Sequence, residues 1–119
     1  MIAVIFEAIP HKVHFQTYLD IAATLRPELE KIDGFISIER FESLSNPGKV
    51  LSLSFWKDEE SIKEWRTLEL HRAAQAKGRD LIFQDYHLRI ATVVRDYGML
   101  SREEAPVDSK AFHNKETIN

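Results

Sequence analysis

Seven residues near the middle of the chain, Val50-Leu51-Ser52-Leu53-Ser54-Phe55-Trp56, do most to limit the folds open to it. Strict alternation puts Leu51, Leu53 and Phe55 on one side of an extended strand and Ser52, Ser54 and Trp56 on the other. The side with two small hydroxyls and an indole faces something other than the main core, and a pocket or a dimer contact would each satisfy it. A second alternating run, Phe35 to Ser43, precedes it across Asn46-Pro47-Gly48. Those turn residues preset or tolerate unusual backbone angles, so the two runs read as an antiparallel hairpin.

The flanking segments have other periods. Residues 2–9 are almost wholly apolar apart from Glu7, as in a strand covered on both faces, and Pro10 closes the run. From His11 to Ile32 the apolar positions recur at three and four, the stripe of an amphipathic helix. Pro27 lies inside it and predicts a kink over Ala23–Arg26 or a fresh turn, and Asp33-Gly34 stops it. Asp58-Glu59-Glu60 opens a second helix with an N-cap acid and acidic first turn, running to about Lys77 and divided near Thr67. Leu81 to Tyr97 reads as a last strand. The order is strand, helix, strand, strand, helix, strand, which is the split βαβ arrangement: an α+β ferredoxin-like domain with a four-stranded antiparallel sheet and both helices on one face. The other sheet face lacks the polar alternation of a solvated surface, so a second subunit is expected to cover it. We read residues 1–98 as the domain and 99–119 as a C-terminal tail, loose or packed on the partner subunit.

Composition removes several classes of function. None of the 119 residues is cysteine, which excludes disulfides, thiolate metal sites and a cysteine nucleophile. The charge of −3 comes from 16 basic and 19 acidic side chains with no basic run, so nucleic acid is not an expected partner. The apolar start is too short to span a membrane and lacks the basic lead of a signal peptide, and a cytoplasmic location is expected. No nucleophile elbow, paired hydrolase carboxylates or phosphate-binding glycine loop is present.

Chemistry is then sought among ionisable groups in apolar elements, where desolvation moves proton affinity. Glu7, in the first strand, is a candidate contact to substrate, or an ion-pair partner for an arginine such as Arg89 or Arg95. His71 follows Trp65 on the second helical segment, and an imidazole beside an indole in a partly dry cleft serves as a base near neutral pH. Arg72 adjoins it. Trp56 and Trp65 both fall where a cleft between sheet and helices would lie. His11 and His14 have a spacing suited to a metal but no third ligand beside them, and no metal site is expected.

The run Leu53-Ser54-Phe55-Trp56-Lys57-Asp58-Glu59-Glu60, followed by Trp65-Arg66 and His71 and preceded by the strand Ile2 to Ile9, resembles the antibiotic biosynthesis monooxygenase family over about residues 1–98. The resemblance implies a homodimeric α+β barrel in which each subunit keeps its own pocket. It also implies oxidation of a small aromatic molecule, a phenol or quinol, by dioxygen without metal or flavin. On that pattern Trp65 and Trp56 line the pocket, His71 takes the substrate proton and Arg72 steadies the anion. A related branch degrades haem with a first-strand asparagine and a histidine ten residues beyond a tryptophan. Here Glu7 stands on that strand and Gln75 ten residues beyond Trp65, so haem is the minor alternative. A non-enzymatic dimer that binds a small molecule is the other reading of the same fold.

Overall fold

The computed structural model describes residues 1–118, with the side chains of 69, 70, 78, 80 and 114–118 outside that description, as is residue 119 at the end of the expected tail. The elements are β1 (Ile2–Pro10), a 3-10 turn (Lys12–His14), α1 (Phe15–Glu30), β2 (Phe35–Glu42), β3 (Val50–Trp56), α2 (Glu59–Thr67), α3 (Glu69–Lys77), a π-helical turn (Gly78–Ile82), β4 (Phe83–Thr92) and α4 (Val107–Ile118). All strand pairs are antiparallel and the sheet order is β2-β3-β1-β4, the ferredoxin-like arrangement.

Register follows the alternation. Val4 pairs with Ser54 and Ile90, and Phe6 with Ser52 and Leu88, so these side chains share the helix-covered face. Ile5 and Glu7, with Leu53, Leu51 and Arg89 as their partners, share the other. Two apolar clusters hold helices to sheet: Leu29, Ile32, Trp56 and Ile62 at one end, and Tyr18, Val50 and Ile82 at the other.

Two local expectations are corrected, and the stretch expected as a tail gains an element. No fresh turn begins at Pro27, because α1 runs through it to Glu30; Ala23 and Pro27 are both exposed, so the carbonyl that proline leaves without a donor is on the solvent side. The last strand is shorter than Leu81 to Tyr97, since its partner β1 starts at Ile2 opposite Thr92 and only the bond from Val93 N to Met1 O, at 3.0 Å, lies beyond. The C-terminal stretch carries a helix, α4, whose Val107, Ala111 and Phe112 spacing is too sparse an apolar stripe to stand out in the sequence. Ahead of it Arg102 lies over the Tyr97 ring at 5.2 Å and donates to Ser109 Oγ at 2.7 Å. This arm lengthens the molecule: the radius of gyration is 17.8 Å, against about 13.5 Å for a compact chain of this length.

The turn between α1 and β2 depends on Gly34, whose φ of +95° is strained for any residue with a side chain. Its carbonyl accepts from Lys57 N at 2.7 Å, and the place a Cβ would take is filled by Ser61 Oγ. Ser61 in turn donates from its backbone N and its hydroxyl to Asp58 Oδ1, at 2.9 and 2.8 Å, which caps α2. Those two hydrogen bonds hold the Asp58 carboxyl below its ordinary proton affinity.

Candidate active site

Between the two apolar clusters the helices and the inner sheet face border an open cavity of about 690 Å³, within the size range of small-molecule sites. Val4, Phe6, Leu88 and Ile90 form much of its apolar floor, and Ser52, Ser54 and Trp56 complete it. Of the two possibilities open for the serine side of β3, the structure therefore shows the pocket. Trp56 is 2% exposed and spends its Nε1–H on Ser54 Oγ at 2.9 Å, while Phe35 packs edge-on to the indole at 5.4 Å. It is a rigid wall with no donor left to offer.

Trp65 and His71 also line the cavity, and a break in the helix brings them together. Thr67 Oγ1 donates back to the carbonyls of Lys63 and Glu64, a competition that disfavours helix continuation. Leu68 is extended at φ −62°, ψ 134°, which divides α2 from α3 where Thr67 predicted. Across that break the His71 ring stacks on Trp65, with centroids 4.3 Å apart and planes 22° from parallel. His71 Nδ1 lies 3.1 Å from the Trp65 carbonyl oxygen. A carbonyl only accepts, so Nδ1 carries the hydrogen and Nε2 is left as the basic atom. Burial holds the imidazole below its ordinary proton affinity, with the bond to the Trp65 carbonyl pulling the other way. The result is an imidazole biased toward its neutral form, with Nε2 unprotonated, in a largely apolar cavity.

Arg72 lines the same cavity beside His71. Glu7 does not: it is on the opposite sheet face, where its carboxylate meets Arg89 Nη1 at 3.2 Å and Lys49 Nζ at 3.6 Å. The expectation of a substrate contact is thus corrected to the ion pair with Arg89, which lowers the proton affinity of Glu7. His11 and His14 rings are 6.3 Å apart, and among the described residues no group of three metal-ligating side chains converges. The residues do not fit a haem-degrading centre. Gln75 lines the cavity at the place where that pattern has histidine, and the first strand turns Glu7 away from it.

Sequence reasoning missed the opposite end of the cavity, where Arg40 and Arg79 meet two tyrosines. Arg40 Nε donates to Tyr18 Oη at 3.3 Å, and Arg79 Nη1 donates to Tyr86 Oη at 3.1 Å. Alternation in β2 separates Arg40 from Glu39 without saying which meets the pocket, and the register that pairs Arg40 with Ser52 decides it.

A model of the family "Antibiotic biosynthesis monooxygenase" matches residues 1–77, a stretch that includes Trp56, Trp65, His71 and Arg72. The chain belongs to the antibiotic biosynthesis monooxygenase family. Among curated relatives of the family member described here, "Jasmonate monooxygenase ABM" of Pyricularia oryzae is 58% identical over 93 residues, covering 78% of this chain and 43% of that protein. The Bacillus subtilis protein YqjZ is 32% identical over 62 residues, covering 52% of this chain and 53% of its own length. The chain thus spans about half the length of the curated relatives it matches. Solved structures share the fold at low identity. Rv0793 of Mycobacterium tuberculosis superposes with a TM-score of 0.72 at 14% identity, covering 82% of this chain and 98% of that one. SnoaB, a cofactor-independent oxygenase from Streptomyces nogalater, superposes with a TM-score of 0.69 at 9% identity, covering 80% and 94%. Among the described residues no helix is long and apolar enough to cross a membrane.

Proposed function

We propose that this chain is a cofactor-independent monooxygenase in which His71 ionises a small substrate inside the cavity so that the resulting anion reacts with dioxygen directly. The observation that carries the reading is the neutral His71, its Nδ1–H held by the Trp65 carbonyl, lining a largely apolar cavity. His71 Nε2 takes the proton, Arg72 steadies the anion, and Trp65 and Trp56 shape the wall. For a phenol the balance closes without an external reductant: a ring C–H and the phenolic O–H become two carbonyls of a quinone, one oxygen atom enters the ring, and the other leaves as water. A carbon acid reacts in the same sense, CH₂ plus dioxygen giving C=O plus water. The 58% identical relative named a jasmonate monooxygenase favours, as a second substrate reading, a jasmonate-like compound over an aromatic one.

We also assign the working form to a homodimer. The sheet face away from the cavity presents Ile5, Leu51, Leu53, Phe55 and Phe41, none of them fully buried, and a second copy meets the need to cover such a face. The test is oxygen uptake with a panel of phenols, quinols and jasmonate. His71→Ala is expected to slow uptake about 10²- to 10⁴-fold. Normal turnover by that variant removes the proposed base, and tight binding with no uptake for any compound favours a binding dimer.

A further inference from the structure

The cavity's ionisable lining is one-sided. Among the described residues it includes five arginines (Arg26, Arg40, Arg66, Arg72 and Arg79), one histidine and no carboxylate. Arg26 is already paired with Glu30 at 3.0 Å. Arg40 is different: it is half-buried, lies over the Tyr18 ring at 5.8 Å, and has no carboxylate partner among the described residues. Its Nε goes to Tyr18 Oη, which leaves the two terminal amino groups of the guanidinium unspent. Tyr18 is 7% exposed, and its oxygen accepts from Arg40, so its own hydroxyl hydrogen is available as well. Nearby, Arg79 Nη1 donates to Tyr86 Oη in a more exposed pair, and Phe83 links the two tyrosines, 5.4 Å from Tyr18 and 5.8 Å from Tyr86. Donors without acceptors, carried on two cations and backed by aromatic rings, are the chemistry of a seat for an anion.

We propose that Arg40 and Tyr18, with Arg79 and Tyr86 beside them, bind the carboxylate of an amphipathic organic acid whose apolar body lies along the cavity floor toward Trp56 and Trp65. Arg40 pairs with Ser52, and Trp56 is four residues further along β3, about 13 Å at the rise of an antiparallel strand. An acid head fixed at Arg40 therefore sends a body of that length toward the end where Trp65 and His71 stack. The proposal deepens the monooxygenase reading by naming the substrate class, and it rests on that reading for the claim that the bound acid is also the substrate.

Both tryptophans of the chain line the cavity, so intrinsic fluorescence reports occupancy without turnover. The probes are two matched pairs: jasmonate with its methyl ester, and decanoate with decanol. For at least one pair the acid is expected to bind about ten-fold or more tightly than its neutral partner, as suits a charge-assisted pair. Arg40→Gln is expected to abolish the preference while leaving the neutral compound's affinity within about two-fold. Tyr18→Phe, which keeps the ring, is expected to reduce the preference. Equal binding of acid and neutral compound in both pairs, failure of both acids to bind, or a preference unchanged in folded Arg40→Gln overturns the seat. Oxygen uptake is followed in parallel: acids bound at Arg40 with no uptake for any compound of the panel overturn only the monooxygenase reading, and uptake with a neutral quinol but no preference for acids overturns only the seat.

Discussion

Replacing Gly34 by alanine tests how the α1–β2 turn is locked to the helix that carries Trp65. The substitution has two separable costs. An alanine at φ +95° loses about 1 kcal/mol to left-handed backbone strain. The new methyl would also occupy the place of Ser61 Oγ and approach Ser61 Cβ to 3.0 Å, so Ser61 must move and release its hydroxyl bond to Asp58, adding about 1 kcal/mol for the bond and about 1–2 kcal/mol for the overpacking. The total is about 3–4 kcal/mol, or a fall in Tm of about 12–16 °C for a domain of this size. Gly48 is the control. Its φ is +91°, but nothing lies within 4 Å of its would-be Cβ, so Gly48→Ala bears the strain alone, about 1 kcal/mol. The smaller entropy that alanine gives the unfolded chain favours both variants alike and cancels in the comparison. Thermal melts followed by far-ultraviolet circular dichroism measure both, and Gly34→Ala/Ser61→Ala is expected to be less unstable than the sum of its parts by about 1–2 kcal/mol. Equal melts for the two glycine variants, or strict additivity in the double variant, would refute the claim that Ser61 is held rigidly against the turn.

Other outcomes follow from the site and the outer face. The base form of His71 is its neutral form, and burial lowers its proton affinity, so kcat/KM is expected to fall only as pH drops through a midpoint below the ordinary histidine value of about 6.5; an acid limb centred above that value contradicts the assignment. Trp56→Phe leaves the buried Ser54 hydroxyl without its indole donor and opens space beside Phe35, a loss of about 2 kcal/mol readable in a denaturant titration. Glu7→Gln breaks the ion pairs with Arg89 and Lys49 on the far side of the sheet, and turnover is expected to stay within two-fold of the unaltered protein; a large loss would return Glu7 to the site. Leu53→Glu places a charge at the centre of the outer face and is expected to convert a dimer to a monomer in sedimentation velocity, whereas an unchanged species assigns the interface elsewhere.

Most of the frame was legible because each element had its own period. The alternation of Val50–Trp56 fixed which side chains of β3 face the helices, and Asp58 announced the cap of α2. What stayed hidden were facts of direction and of pairing between elements. Glu7 is an isolated charge in an apolar strand, and only the placement of Val4 and Phe6 on the cavity floor sends it to the other face. Arg40 belongs to a run whose two faces both contain charge, Glu39 and Arg40, so nothing in the sequence says which one meets the pocket. Tyr18 read simply as part of the helical stripe, yet its hydroxyl is met by a guanidinium 22 positions away in sequence. α4 escaped for the opposite reason, that its apolar residues are too few to mark a face.

The break between α2 and α3 has a bearing on how the proposed base evolves. In an uninterrupted helix the Trp65 carbonyl would accept from the amide four residues on; here it accepts from Leu68 N at 3.2 Å, and the extended Leu68 brings His71 Nδ1 to within 3.1 Å of the same oxygen, whose second lone pair receives it. The tautomer of the imidazole is therefore set by main chain, which no substitution of a neighbouring side chain can delete. A lineage can vary every other residue that touches substrate and keep the tautomer of His71, so specificity and basicity are free to change independently. The vulnerable element is the discontinuity itself: a change such as Thr67→Ala that lets the two helices fuse would disarm the site without touching any residue of its lining.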